Sequence, residues 1–526
     1  MGVPGLWQEL AAAGIDRTLS DLAWEKWKTC PSKKQGLQLG IDATLWMYHA
    51  RKAKGGKNPA LRSLFFRLAR LLTLPITPIF VLDGAERPKV KRDAAVYTGV
   101  HAIQVQFCAM LDAFQFAHWT APAEAEAELA WMDKEGLIDA VLTDDVDALL
   151  FGARMVVRNS AWHERDHDED DVDKAAVYDT AQGDWSVDSD GMVLVALLAG
   201  ADYDTQGMFR CGVKTAIGLA RAGFGAKLLA AFRTSYTRTA DARKSAAEWD
   251  KFVAEWCTSV RAELVSNASG MLPRRLPKLA SEMPDLFSTP DARQVLHSYV
   301  WPITSSTADR ARVETVLAAV PRAQLPAIAK FAMTHFQWAR DAIAQRMERI
   351  LYPGLLVREL QEAAYAPATP QASPQTTPRK NKQRSPVTQI TDFFASASAH
   401  SPERARNRSR IVQVHAERAA AYGTDLRVSY DTQPYLGQIQ RALELEESDG
   451  SVVRAWLPEC LLLVQGPQEQ ALVRAYRQQQ QRKALGSPSK KQKKKGQARA
   501  LIEHQFRFVF LSGCLQKGCL GPLCLL

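Results

Sequence analysis

No C-x-x-C pair occurs in the 526 residues; the eight cysteines lie scattered at 30, 108, 211, 257, 460, 514, 519 and 524. That spacing argues against a zinc module and a disulfide framework and leaves reduced, buried or incidental thiols. Long apolar runs are missing too: the longest, 192–201, suits a buried helix and is far too short to span a bilayer. The start lacks the charged segment and apolar stretch of a secretory signal. Leu6 stands where N-myristoylation needs Ser or Thr, and the terminal LCLL is not a prenylation box. No internal repeat is visible. The expectation is a soluble intracellular protein with no membrane partner.

What is present is ordinary in amount and uneven in place. Hydrophobic residues at 46% and charged residues at 24% fit a globular chain, and its length exceeds one compact core, so two to four units are expected. Lys and Arg number 67 against 57 Asp and Glu, a net +10 that points weakly to a polyanionic partner. Acidic residues crowd the first part of the chain, notably the run 163–173, and basic residues crowd the region after Arg379. Such a distribution suits a surface that grips phosphates around an acid-lined centre.

Residues 1–190 alternate short apolar strands (37–41, 79–82, 140–142, 155–158) with helical patterns (44–54, 60–73, 100–114, 124–134), the rhythm of an α/β sheet. Residues 191–365 read as helices, beginning with 191–199, a Gly-rich turn and 214–221. Residues 366–409 are rich in Pro, Ser, Thr, Lys and Arg and form a basic, disordered linker. Apolar periodicity returns over 410–480 as a small second module, and 481–526 is a basic tail.

Acidic residues recur at the ends of the expected strands. Asp42 follows the first strand, Asp83 the second, and Asp144, Asp145 and Asp147 the third. The crevice beyond the strand carboxyl ends is where open α/β sheets bind ligands. Glu124 and Glu126 sit two apart at a helix start after Pro122, where the helix dipole tolerates negative charge. Asp202 follows the helix 191–199. Gathered together, these carboxylates repel one another unless cations compensate, and hard divalent ions such as Mg²⁺ accept carboxylate oxygen. For any one taken alone, a helix cap or a solvated loop charge is the better reading; Asp144, Glu128 and the run 166–173 keep that reading.

The blocks that carry these acids resemble the XPG/flap endonuclease superfamily: MGVPGLW (1–7), IDA (41–43), FVLDG (80–84), APAEAEA (121–127), TDDVD (143–147) and LAGADY (198–203), in the family's order. The resemblance implies a PIN-like, Rossmann-like nuclease core with a central sheet flanked by helices, and a site of Asp42, Asp83, Glu124, Glu126, Asp145, Asp147 and Asp202. It also implies two Mg²⁺ ions, with Mn²⁺ as substitute, about 3.5–4 Å apart. GADYDTQGMFRCGVKT (200–215) looks like the family's helix–two-turn–helix, which implies a bound K⁺ and DNA contacts from Gly207, Gly212 and Lys214; RCG (210–212) departs from the usual Gly-hydrophobic-Gly. RPKVKR (87–92) resembles the basic start of the family's gateway helix, so Lys89, Lys91 and Arg92 are expected near the scissile phosphate, with Gly2 of the opening block as a further DNA contact.

Only 40 residues (84–123) separate Asp83 from Glu124, too few for the closed helical arch of flap endonucleases. That resembles the GEN/Yen branch of Holliday junction resolvases and implies branched DNA (four-way junctions, 5′ flaps) as partner, with a homodimer on junctions and a monomer when free. The alternatives are a flap or gap endonuclease that needs a free 5′ end, and a catalytically silent DNA or chromatin scaffold. WLPE (456–459), with Leu472 and Tyr476, resembles the last strand and closing helix of a chromodomain, with earlier strands at 410–414 and 426–430; Trp456 and Tyr430 are either a methyl-lysine cage or ordinary core aromatics. Thr377 and Ser487 head Ser/Thr-Pro-x-Lys phosphorylation sites, the lysines of 490–495 read as a nuclear address, and ITDFF (390–394) resembles part of a sliding-clamp box. A nuclear protein, in part cytoplasmic with regulated import, is expected.

Overall fold

The structure, a computed structural model, describes residues 2–30, 36–92, 94–96, 99, 101–158, 174–182, 185, 187–238, 246–318, 321–365 and 410–485. The acidic run 163–173, the stretch 366–409 with its clamp-like segment, and the lysine run 490–495 lie outside the described residues.

The chain opens with α1 (Leu6–Leu10), β1 (Ile15–Thr18) and α2 (Leu19–Thr29), where Thr18 and Asp21 form a reciprocal cap that fixes the helix start. β2 (Leu37–Asp42), α3 (Ala43–Ala50), α4 (Pro59–Leu72) and β3 (Ile76–Leu82) follow, then a hairpin of β4 (Val90–Lys91) and β5 (Ala94–Ala95). Next come α5 (Ala102–Phe114), β6 (Ala117–Thr120), α6 (Ala125–Lys134), β7 (Ala140–Leu142), α7 (Asp147–Leu150), β8 (Met155–Arg158) and β9 (Lys174–Asp179). The seven-stranded sheet runs β1-β9-β8-β7-β2-β3-β6. Its five strands from β8 to β6 are parallel, and β9 and β1 close one side antiparallel. Of these five, β2 is first in sequence and central in space: β3 and β6 lie to one side of it, β7 and β8 to the other. The order therefore reverses between β2 and β7, and a crevice opens at their carboxyl ends.

β3 is buried throughout, as a strand covered on both faces must be. Strand residues of opposite parity feed two apolar cores. One core packs α2 to α5 against the sheet. The other holds α1, α6 and α7 together with α8 (Ser189–Ala199), α9 (Val213–Arg221), α10 (Phe224–Ser235), α11 (Ala246–Ser266), α12 (Pro277–Glu282), α13 (Pro290–Val300) and α14 (Arg310–Ala318). The later helices α15 (Leu325–Phe336), α16 (Ile343–Ile350) and α17 (Tyr352–Tyr365) cross back to the first core. The helical half of the chain thus covers both faces of the sheet.

The C-terminal module consists of β10 (Ile411–Ala420), β11 (Gly423–Asp431), α18 (Gln433–Leu443), β12 (Val452–Pro458), α19 (Glu459–Leu463) and α20 (Pro467–Leu485). Its three antiparallel strands sit in the order β10-β11-β12. Leu426, Val428 and Tyr430 point into the first core and extend it. Trp456 pairs across the sheet with Arg427, whereas Tyr430 pairs with Val453. Strand alternation therefore puts the two aromatics on opposite faces, and they cannot form one cage. Tyr430 is a core residue, and Trp456 carries the Arg418 guanidinium 4.6 Å above its ring.

Candidate metal and nucleic-acid site

The acids gather at the switch point. Asp42 ends β2 and caps α3, its Oδ1 accepting from Leu45 N at 2.9 Å. Asp83 follows β3; its Oδ1 accepts from Ala125 N at 2.9 Å, which ties the start of α6 to β3, and its Oδ2 accepts from Arg87 at 2.9 Å. Glu124 is the residue before α6 and Glu126 lies in its first turn. Asp145 and Asp147 follow β7, and Asp145 Oδ1 accepts from Asp147 N at 3.2 Å. Asp202 comes after α8. Six of the seven are buried and Asp83 is half-buried.

Lys91 joins them. Its ammonium donates to Glu124 Oε1 at 2.7 Å and Glu126 Oε1 at 3.0 Å and stands 3.0 Å from Asp202 Oδ2. Arg92 Nε donates to Asp202 Oδ1 at 2.5 Å, and its Nη2 donates to the Gly2 carbonyl at 3.1 Å. Residues 87–92 do not start a helix. Successive helical residues diverge by about 100°, which would part the two cations; instead Lys91 ends β4, and Arg92 turns with φ 53° so that both reach the acids. Lys89 stays exposed and outside the cluster.

The opening segment covers the cluster. Gly2 has φ +75°, and a side chain there would start 2.2 Å from Asp147 Oδ1 and 2.8 Å from Asp145 Oδ1, so only glycine fits. Trp7 Nε1 donates to the Asp144 carbonyl at 2.8 Å and pins the segment to the loop after β7.

Burial and mutual repulsion dominate the electrostatics. Burial, then Glu126 and Asp83, hold Asp42 well above the usual carboxylate range. Burial and Asp145 do the same to Asp147, and burial with Glu126 raises Asp83. Burial with Glu126 pushes Glu124 to about 7 and Asp145 to about 6. Asp202 is the exception: burial pushes it up, but Lys91 and Arg92 bring it below the usual range. Burial lowers the ammonium of Lys91, but Glu126, Glu124, Asp147 and Asp202 together raise it above its usual range.

These are hard oxygen donors with an unmet need for positive charge. Asp147 Oδ1 is buried with no hydrogen-bond partner, the kind of atom a cation satisfies. Among the described residues no three acid, histidine or cysteine side chains already stand at metal-ligand spacing. Lys91, placed between the two glutamates and Asp202, supplies part of the charge that metal ions would bring. The donor set fits divalent cations.

Tyr203, which the sequence did not single out, hydrogen-bonds through its hydroxyl to Glu124 Oε2. Its only signal is its place directly after Asp202. Glu128, expected as a cap or solvated charge, is instead fully buried and accepts from Trp119 Nε1 at 2.9 Å and Ser305 N at 2.8 Å, while Asp144 pairs with Arg158 at 3.3 Å. The loop between α8 and α9 brings Asp202 and Tyr203 to the acids and then turns on its glycines. Gly207 (φ +54°) packs so close that a Cβ would meet Gly200 N at 2.5 Å, while Gly212 caps α9 with open space beside it. Lys214 is exposed in the first turn of α9, 3.7 Å from Glu9. Phe209 protrudes from the same loop, 67% exposed.

A doubly wound sheet whose switch point collects carboxylates from five stretches of chain defines a PIN-like nuclease core. The chain matches the XPG N-terminal domain over residues 1–97 and the XPG I-region over 115–202. Over residues 1–202 it is thus similar to the XPG/flap endonuclease superfamily. It is 29% identical over 255 residues to flap endonuclease GEN homolog 1 of Mus musculus, covering 44% of this chain and 26% of that protein. Against flap endonuclease 1 of Methanocaldococcus jannaschii it is 28% identical over 211 residues, covering 34% of this chain and 63% of that one. The chain therefore spans about a quarter of the mouse relative's length. Among solved structures it is similar to a eukaryotic junction-resolving enzyme GEN-1 binding cesium, with TM-score 0.66, 26% identity and coverage of 91% of this chain and 100% of that one. It is also similar to the Holliday junction-resolving enzyme GEN1 in complex with product DNA and Mg²⁺, with TM-score 0.63, 26% identity and the same coverage.

Proposed function

We propose that this protein is a divalent-metal-dependent, structure-specific DNA endonuclease of DNA repair and recombination. On this reading it resolves four-way junctions by paired symmetric nicks and also cuts 5′ flaps. The observation that carries it is the meeting of seven carboxylates from separate stretches of chain at one switch point, with Lys91 and Arg92 among them. Two bound Mg²⁺ or Mn²⁺ ions would activate water and stabilise the leaving oxygen of a phosphodiester. Asp42, Asp83, Glu124, Glu126, Asp145, Asp147 and Asp202 are the residues to hold them. Tyr203 fixes the Glu124 carboxylate, and Lys91 and Arg92 present positive charge to the phosphate.

The loop from Gly200 to Gly212 with Lys214 grips a duplex arm, with K⁺ against its backbone; a GEN-1 structure binding potassium supports that choice of ion. A cleft open to continuous strands is favoured because α5 packs against the sheet and β6 lies in it, so few residues between Asp83 and Ala102 are left to build an arch. Two copies act on a four-way junction and one on a flap. The three-stranded C-terminal module is taken as chromodomain-like and DNA-facing, and the lysines of 490–495 as a nuclear address.

Incubating the protein with labelled four-way junction, 5′ flap and plain duplex, in Mg²⁺ or EDTA, tests the reading. Junction and flap should be cut in Mg²⁺ alone, and a flap whose 5′ end is blocked by a bulky protein should be cut as fast as a free one. Loss of cutting on blocking would instead favour the free-end flap endonuclease that the archaeal likeness suggests. Junction binding with no cutting in any metal would favour the scaffold.

A further inference from the structure

The connection between α11 and α12 is an exposed loop held firmly from beneath. The carboxylate of Glu263, buried on α11, accepts from Ser269 N at 3.1 Å and from Ser269 Oγ at 2.6 Å. Asn267, with φ 50°, clamps Leu272 from both sides: its Oδ1 accepts from Leu272 N and its Nδ2 donates to the Leu272 carbonyl, each at 3.1 Å. Leu276 N closes the turn on the Leu264 carbonyl at 2.6 Å. What this braced backbone presents to solvent is Arg274, Arg275 and, one step on in α12, Lys278. No acid occurs between Glu263 and Glu282, so the three charges are unopposed within the segment.

Two contacts set this row beside the α8–α9 loop. Gly218 lies one turn beyond Lys214 on the same face of α9, and a side chain there would start 2.8 Å from the Met271 carbonyl oxygen; glycine lets the α11–α12 loop lie directly on α9. Arg210, within the α8–α9 loop, donates to Glu282 Oε2 at 2.8 Å, and Glu282 is one turn from Lys278 on α12. That pair also neutralises the single acid of α12.

We propose that Arg274, Arg275 and Lys278 form a second row of contacts to the backbone phosphates of a duplex arm, continuing the grip of Lys214 and the α8–α9 loop. The inference rests on the duplex-binding reading above. Cations carried on a pre-ordered loop lose little conformational freedom on binding. Phosphate contacts fix orientation and carry no sequence information, so the row sets how an arm lies relative to the acids.

The test measures junction affinity of the full chain against salt concentration, with Ca²⁺ in place of Mg²⁺, and kcat in Mg²⁺ at saturating junction. Arg274→Glu with Arg275→Glu, both at exposed positions, should weaken affinity about tenfold or more and lower the slope of log affinity against log salt by about 2, with kcat and thermal midpoint nearly unchanged. Arg274→Lys with Arg275→Lys should bind as the parent does, because the phosphates need the charge rather than the guanidinium. Parental affinity and slope in the glutamate variant, or an equal loss in the lysine variant, would overturn the second row and leave the nuclease reading standing. A parent protein that binds junctions with the full slope but cuts none in Mg²⁺ would overturn the nuclease reading and leave the row. One that binds no branched DNA would overturn both.

Discussion

Lys91 stands where a counter-ion is needed, against acids from α6 and from the loop after α8. Removing it should separate binding from chemistry. Lys91→Ala should lower kcat by about 10²-fold or more with junction affinity nearly unchanged, and should reduce the Mg²⁺ concentration for half-maximal rate, because no ammonium then competes for the carboxylates. An unchanged kcat would remove Lys91 from the reaction. The raised carboxyls make a second prediction. A group with a raised folded pKa binds its proton more tightly folded than unfolded, so stability falls as pH rises from the ordinary carboxylate range through the folded value. With Glu124 near 7 and Asp145 near 6, the window runs from about pH 4 to 7. Asp202, held low, acts in the opposite sense below that range. In EDTA the thermal midpoint should fall from pH 5 to pH 8, and Mg²⁺ should restore it at pH 8. Asp147→Asn should raise the midpoint at pH 8 in EDTA by a few degrees while reducing cutting by about 10³-fold; a midpoint that rises with pH would refute the clustered-charge account. The seven acids were legible because each follows an apolar strand or begins or follows a helix. Which of Lys89, Lys91 and Arg92 turns inward was not, since the left-handed turn at Arg92 decides it and its sequence does not announce one.

At the scale of elements, strands with apolar runs were readable and those without were not. β2, β3, β7 and β8 match their expected positions, whereas β1, β6 and β9 went unread. β1 and β6 are the two edges of the sheet; IDRT and AHWT carry too little apolar pattern for a solvated edge to stand out from loop. β9 pairs with β1 and β8 and directly follows the acidic run in sequence. β3 also begins earlier than expected. β6 pairs with β3 only from Ile79 onward, so the missing N–H of Pro78 costs no ladder bond on that side. The helix pair α8 and α9 was legible from its apolar runs and intervening glycines. Gly207→Ala should strain that loop and weaken binding to duplex arms about tenfold, leaving Mg²⁺ dependence intact. Duplex affinity equal to the parent's would separate this loop from DNA binding.

For the molecule as a whole, the C-terminal module is built into the nuclease core. Gln465 Nε2 donates to the Leu360 carbonyl at 2.9 Å, Ser451 Oγ donates to Glu348 at 2.7 Å, and Tyr435 packs on Tyr352 with ring centroids 5.0 Å apart. One apolar cluster runs from α2 through α17 into β11 and α18. A chain ending at residue 409 should therefore expose that cluster and unfold several degrees lower, and the full chain should melt in one calorimetric transition; two separate transitions would show that the module folds alone. Sequence periodicity located this module but not its docking, because an amphipathic face shows that it is covered without showing by what.

The proposed function requires the carboxylates at the β2/β7 switch point to hold divalent cations for phosphodiester hydrolysis. Titration calorimetry with Mn²⁺ on the junction-bound protein, its cleavage prevented by a non-hydrolysable linkage at the scissile position, tests this most directly. Two Mn²⁺ ions should bind per chain, and Asp145→Asn with Asp147→Asn should abolish at least one. A stoichiometry that survives both substitutions, or no Mn²⁺ binding at all, would contradict it.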